Sequence, residues 1–162
     1  MSKYLVVSDI HRNESKLESI LKDHQDITCV IFCGDLEMEV YDFEEIVRRC
    51  LSCSVDIRMV RGNCDAYHTS FSGVLDVIAF PLSSKHRVMV THGHIYRANY
   101  DLMAYAAMEK ECDTVLFGHI HRHVDKMYSG IRFLNPGALM NGDYMIIETD
   151  KDGELHISSE RR

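Results

Sequence analysis

Five short motifs hold the residues most able to do chemistry: Asp9-Ile10-His11, Gly34-Asp35, Gly62-Asn63-Cys64-Asp65, His92-Gly93-His94 and Gly118-His119-Ile120-His121. They offer carboxylate and amide oxygens together with imidazole nitrogens, the donor types that bind hard and borderline divalent cations. One carboxylate can give an oxygen to each of two cations, and Asp35 is the candidate for that bridge. Asp9 adds a second negative charge, Asn63 a neutral oxygen, and His11, His92, His119 and His121 imidazole nitrogen. A mixed oxygen and nitrogen set without thiolate favours manganese first, with iron, zinc, nickel or magnesium as alternatives, over calcium. Two such ions about 3.5–4 Å apart lower the pKa of a shared water, polarise a phosphoryl oxygen and steady an in-line displacement. The chemistry predicted is hydrolysis of phosphate esters.

Taken singly, each motif has a plainer reading. A lone histidine is more often solvated or hydrogen-bonded than a ligand, Asp35 could cap a helix, and Gly118-His119 could be a turn. Order and spacing decide against that. Asp9 to Asp35 spans 26 residues, Asp35 to Asn63 28, Asn63 to His92 29 and His92 to His119 27. Each interval is close to the roughly 30 residues of a βαβ unit. Each motif also follows an apolar run that reads as a strand: Leu5–Val7, Val30–Phe32, Ile57–Val60, Val88–Val90 and Val115–Phe117. Successive βαβ units return the carboxyl ends of their strands to one sheet edge, where α/β folds bind ligands.

Helical patterns lie between the strands. Ser15 and Glu18 have capping-box spacing ahead of an apolar face of Leu17, Ile20 and Leu21. Phe43, Ile46, Val47, Cys50 and Leu51 keep a similar period. Asn99 can cap a third helix reaching about Cys112, with Leu102, Met103, Ala106 and Ala107 inward. Beyond Gly118 the turn signals Ser129-Gly130, Asn141-Gly142-Asp143 and Asp152-Gly153 predict hairpins. With two prolines and no linker, residues 1–162 read as a single domain that starts α/β and finishes mostly β.

The chain has 162 residues, 46 % hydrophobic and 27 % charged, enough to bury a sizeable core. A formal charge of −7 argues against a general nucleic-acid binder, and no duplex partner is expected. The six cysteines are scattered, with no secretory leader and no apolar run of membrane-spanning length, so reduced thiols in a cytoplasmic protein are expected. Cys50 and Cys53 have CxxC spacing but no second pair, and are read as core-packing residues at a helix end. The antiparallel C-terminal segment leaves a homo-oligomer open.

The motif series Asp-x-His, Gly-Asp, Gly-Asn, a lone His, then Gly-His-x-His resembles the calcineurin-like metallophosphoesterase superfamily. The match runs from Asp9 to His121, and Asn135-Pro136-Gly137-Ala138 is similar to a stretch of its small prokaryotic phosphodiesterase branch. The resemblance implies a four-layer α/β/β/α sandwich with two mixed central sheets flanked by helices. It would assign Asp9, His11, Asp35 and His121 to one metal, and Asp35, Asn63, His92 and His119 to the other. The substrate expected is a small phosphate ester, most naturally a diester.

Two departures matter. Many relatives carry a histidine after Gly-Asn, proposed to protonate the leaving oxygen or grip the phosphate; here that residue is Cys64. A thiol with an ordinary pKa near 8.5 replaces imidazolium poorly. Activated esters should therefore turn over best, with His94 the candidate to assist. Relatives also carry an aspartate three residues after the Gly-Asp aspartate, where this chain has Met38 in Asp35-Leu36-Glu37-Met38. Asn63, Cys64 and His94 are thus the candidates for direct catalytic contact. His94 could equally support His92 or be a solvated loop residue, and Asp65 is read as orienting its loop. His68 is read first as a plain surface residue and second as one lining the cleft, while His24, His86, His123 and His156 are read as ordinary polar residues.

Two other functions fit parts of the pattern. A eukaryotic retromer subunit shares the fold and serves mainly as an interaction module, so a non-catalytic metal-binding scaffold is the main rival. A Cys64 nucleophile is the other, and it predicts indifference to chelators.

Overall fold

Alternation along the first strand sends Leu5 and Val7 to one side and Val6 to the other, and the same division recurs in the strands beside and facing it. This is why the molecule has three apolar layers. The computed structural model describes residues 2–51 and 54–162. In chain order the elements are β1 (Lys3–Val7), α1 (Glu14–Asp23), β2 (Cys29–Phe32), α2 (Val40–Cys50), β3 (Asp56–Met59), β4 (Val77–Pro81) and β5 (Arg87–Thr91). After them come α3 (Tyr100–Glu109), β6 (Thr114–Phe117), β7 (His123–Tyr128), β8 (Ile131–Pro136), β9 (Asp143–Thr149) and β10 (Leu155–Arg161).

The strands form two five-stranded mixed sheets, ordered β10-β9-β1-β2-β3 and β4-β5-β6-β8-β7. In the first, β1, β2 and β3 run parallel; in the second, β5, β6 and β8 do. Leu5, Val7, Val30 and Phe32 meet Leu17, Ile20 and Leu21 of α1 and Phe43, Ile46 and Val47 of α2. Val6, Ile31, Val88, Val90, Leu116 and Met145 fill the space between the sheets. Met89, Val115, Phe117 and Phe133 pack against Met103, Ala104 and Ala107 of α3. The result is the four-layer α/β/β/α sandwich, with α1 and α2 on one face and α3 on the other.

Local details differ from the sequence reading. The cap of α1 is Asn13, whose side chain accepts from Lys16 N at 3.3 Å, so the helix starts one residue before Ser15 and the capping box is not used. Asn99 does cap α3, through Leu102 N at 3.2 Å. That helix stops at Glu109, short of Cys112, and Leu102 is exposed where Ala104 is buried, because the inward stripe runs through Met103, Ala104 and Ala107. The strand β4 was not expected. Ser129-Gly130 and Asp152-Gly153 do join hairpins, whereas Asn141-Gly142 lies on the passage from β8 in one sheet to β9 in the other. Cys50 is half-buried at the end of α2, and Cys53 lies outside the described residues.

Candidate metal centre

The parallel strands deliver the five motifs to one place. Asp9 follows β1, Asp35 follows β2, Asn63 follows β3, His92 follows β5, and His119 and His121 follow β6. The two sheets are joined there by His119 N, which donates to Asp9 Oδ2 at 3.1 Å, while within the second sheet Asn135 Nδ2 donates to Gly118 O at 2.8 Å. Leu139 N and Met140 N close over the Asp9 turn by donating to Ser8 O and Asp9 O, at 2.9 and 3.2 Å.

The backbone here is strained. Asp9, His11, Asp35, Glu37, His119 and His121 all have positive φ, between 45° and 70°, in the left-handed region. That conformation costs a non-glycine residue of order 1–3 kcal/mol. Outliers of this kind persist where the surrounding structure over-determines them, and they gather at functional sites. Gly34 meets the same demand without a side chain: its φ is +98°, and a Cβ there would come within 2.7 Å of the His92 ring.

Donor atoms converge without satisfying one another. Asp9 is fully buried; its Oδ2 accepts from Ser8 Oγ at 2.6 Å, while Oδ1 has no hydrogen-bond partner. His121 Nε2 stands 3.0 Å from that Oδ1 and His11 Nε2 3.9 Å, neither in hydrogen-bonding alignment. His92 is fully buried, and its Nδ1 lies 2.8 Å from Cys33 O, so Nδ1 carries the proton that bond requires. Its Nε2 then faces two oxygens, Asp35 Oδ2 at 3.3 Å and Asn63 Oδ1 at 3.1 Å. Three acceptors that face one another require a cation among them, either a proton or a metal ion. Burial lowers the His92 pKa, but the Asp35 carboxylate outweighs it and the net shift is upward. Burial likewise opposes ionisation of Asp35, yet His92 and the Cys64 backbone N–H, which donates to Oδ1 at 2.8 Å, hold its carboxyl well below the usual range.

Among the described residues three groups of donors lie close enough for a cation, and two of them draw only on the predicted ligands: Asp9, His11 and His121, and beside them Asp9, Asp35 and His92. Asp9 belongs to both groups and Asp35 to the second. Asn63 joins the second group through its contact with His92. The His119 ring stands edge-on to His92, with centroids 5.1 Å apart, and its pKa is lowered by burial and then by His92. His94 is half-buried with its ring 5.4 Å from that of His92, and the same two causes lower its pKa.

Cys64 differs from the ordinary thiol expected. Burial, then the Asp35 charge, pushes its pKa up to about 12. Asp65 orients its loop as anticipated, but its reach is wider: it accepts four backbone N–H groups, from Asp35, Leu36, Glu37 and Gly62, at 2.8–3.1 Å. Asn135 is a buried clasp whose Oδ1 accepts from Gly137 N at 2.9 Å. His68 turns to Glu39, 3.5 Å away. The sequence reading missed Glu37, whose Oε2 lies 3.0 Å from His11 Nδ1. A carboxylate two residues beyond Asp35, on the same loop, was the available signal.

Comparison with known proteins bears on the family and the fold. The chain is 29 % identical over 138 residues to the "Probable metallophosphoesterase YsnB" of Bacillus subtilis, covering 83 % of this chain and 73 % of that one. It superposes on the solution structure of the Thermotoga maritima protein TM1076 with a TM-score of 0.76 and 27 % identity, covering 100 % of each chain. Two more distant structures share the fold alone. One is described as a novel archaeal phosphodiesterase, with TM-score 0.75, 20 % identity, and 98 % and 99 % covered. The other is Vps29 complexed with zinc from Entamoeba histolytica, with TM-score 0.71, 18 % identity, and 98 % of each chain covered. The calcineurin-like phosphoesterase superfamily domain matches residues 3–152. With that span matched and the donor groups in place at the strand ends, the chain belongs to the calcineurin-like phosphoesterase superfamily.

Proposed function

We propose that the chain is a metal-dependent phosphodiesterase that hydrolyses small phosphate esters. The observation that carries this is the set of unsatisfied donors: Asp9 Oδ1 and His11 Nε2 are buried without partners, beside His121 and the Asp35–His92 pair. Asp9, His11, Asp35, Asn63, His92, His119 and His121 would hold two divalent cations, with manganese the first choice. Bound there, such cations supply Lewis-acid polarisation of a phosphoryl oxygen and a lowered pKa for water. The protein's own part is to fix the donors, hold His92 Nε2 toward Asp35 and Asn63, and place Cys64 and His94 beside them. Removing the metal should abolish turnover of bis-p-nitrophenyl phosphate, and adding manganese back should restore it. A chelator-treated protein that keeps full rate would overturn the reading.

Leaving-group assistance is the weak point of this centre. In the metal-free protein burial and the Asp35 charge keep the Cys64 thiol protonated, and a thiol is a weak hydrogen-bond donor to an ester oxygen. His94 favours its neutral form, which can donate one N–H to an ester oxygen but is a poor source of a proton. Esters with good leaving groups should therefore be the best substrates. Cys64→His is expected to raise turnover of esters with poorer leaving groups by about 10-fold or more, within the range for general acid catalysis. An unchanged or lower rate with metal still bound would count against this account. A metal-independent Cys64 nucleophile is disfavoured, because in the metal-free protein burial and the Asp35 charge raise the thiol pKa and the thiolate is the attacking species.

The scaffold reading draws on the Vps29 likeness, which at 18 % identity speaks to fold alone. Retention of every donor in the strained loops supports an enzyme over a scaffold. A formal charge of −7 supports a small substrate over duplex nucleic acid. Among the described residues no helix is long and apolar enough to cross a membrane.

A further inference from the structure

We infer that Glu37 is a positioning residue for His11: its carboxylate holds the imidazole proton on Nδ1 and so keeps the Nε2 lone pair turned to a cation beside Asp9. This inference rests on the proposed metal-dependent function. Glu37 Oε2 lies 3.0 Å from His11 Nδ1, while His11 Nε2 is buried, has no hydrogen-bond partner and stands 3.9 Å from Asp9 Oδ1. A neutral imidazole has one N–H, and an ionised carboxylate can only accept. The proton therefore sits on Nδ1, and Nε2 is left as the donor to a metal. His92 is built on the same plan with a different anchor, its Nδ1 bound to Cys33 O and its Nε2 facing the site.

The carboxylate is itself held. Glu37 N donates to Asp65 Oδ1 at 3.1 Å, and Glu37 O accepts from Arg12 Nε at 2.9 Å. Its φ of 56° keeps it in the left-handed region, so both ends of the residue are tied while the side chain faces His11. Distance alone would also allow ligation, because Glu37, His11 and Cys64 offer donor atoms within 4.8 Å of one another. His11 cannot serve both roles: an Nδ1 that carries a proton for Glu37 has no lone pair for a cation on that side. The hydrogen-bond distance and the unpartnered Nε2 favour positioning over ligation.

The test uses Glu37→Ala and Glu37→Gln in the full chain. Both replacements keep a Cβ and so leave the backbone strain as it is. Long-range ¹H–¹⁵N NMR of the metal-free proteins, at about pH 8 where an ordinary imidazole is neutral, reads the His11 tautomer directly. Calorimetric titration with manganese reads affinity. Wild type should carry the proton on Nδ1, and Glu37→Gln should keep it there, because the amide oxygen still accepts. Glu37→Ala should release it to Nε2 and weaken one of the two binding events by about 10–100-fold, the usual cost of losing such an outer partner. Glu37→Gln should lose less than about tenfold. A His11 proton that stays on Nδ1 in Glu37→Ala overturns the proposal. So does an unchanged affinity, or an equal loss in both variants with the tautomer intact, which would mark Glu37 as a ligand. Wild type that binds no manganese would instead bring down the metal reading itself, whatever the His11 signal shows.

Discussion

Asp35→Asn should lower turnover of bis-p-nitrophenyl phosphate by about 10³-fold, equivalent to about 4 kcal/mol of transition-state stabilisation. The substitution keeps shape and volume. An amide oxygen can still accept from Cys64 N, the bond that Asp35 Oδ1 makes at 2.8 Å. The charge is what disappears, along with the Oδ2 lone pairs that face His92 Nε2 at 3.3 Å. An amide NH₂ turned toward His92 can donate to that nitrogen and occupy the lone pair a cation would use. Steady-state kinetics across a manganese titration should show a lower maximal rate at saturating metal as well as weaker metal dependence. A wild-type rate in this variant would remove the basis for the enzyme reading.

The largest stability effect belongs to Asp65. Asp65→Asn is expected to cost about 4 kcal/mol, at the upper end for a single substitution and much of the roughly 5–15 kcal/mol of a typical domain. The side chain is fully buried and accepts four backbone N–H groups, two on each oxygen: Leu36 and Glu37 on Oδ1, Asp35 and Gly62 on Oδ2. Asparagine has a single acceptor atom, so either orientation of its amide points NH₂ at two N–H donors. Each buried donor left unpaired costs about 1–3 kcal/mol, and more when its lost partner was charged. Because these donors belong to the loops that carry Asp35 and Asn63, the metal donors should lose their placement as well. Urea unfolding followed by circular dichroism measures the first effect, and manganese affinity the second. A stability loss under about 1 kcal/mol would show that the four bonds contribute little beyond what water could supply.

Much of the centre was readable from residue types because parallel strands impose a period on the chain. Asp9, Asp35, Asn63, His92 and His119 recur at nearly equal intervals, each just past an apolar run, and the sheets bring those ends together. Side-chain burial along the strands was equally regular: Val6 against Leu5 and Val7 needs only the alternation of a strand. What could not be read depends on contacts between distant segments. The four bonds of Asp65 and the Glu37–His11 pair involve loops whose conformation no local pattern specifies. Positive φ at Asp9, His11, Asp35, Glu37, His119 and His121 is likewise invisible in residue type, since tertiary contacts hold those residues against their own preference. The strand β4 was missed for another reason. Val77–Pro81 is a half-buried edge that ends in proline, a weak signal in any window. Asn13 displaced the Ser15 box because its side chain could reach Lys16 N, a competition that spacing alone does not decide.

The place of β1 has a further consequence, for how the chain is made. This strand lies between β2 and β9, so its second neighbour is synthesised more than a hundred residues after its first. At about 5–20 residues per second, a nascent chain carries β1 with one bare backbone edge for on the order of ten seconds. During that interval the Ser8–Asp9 turn also lacks the clasp from Leu139 and Met140, so the first metal donor to leave the ribosome is among the last to be set. Until β9 arrives, the half-built sheet carries an open strand edge of the kind that invites pairing with another chain.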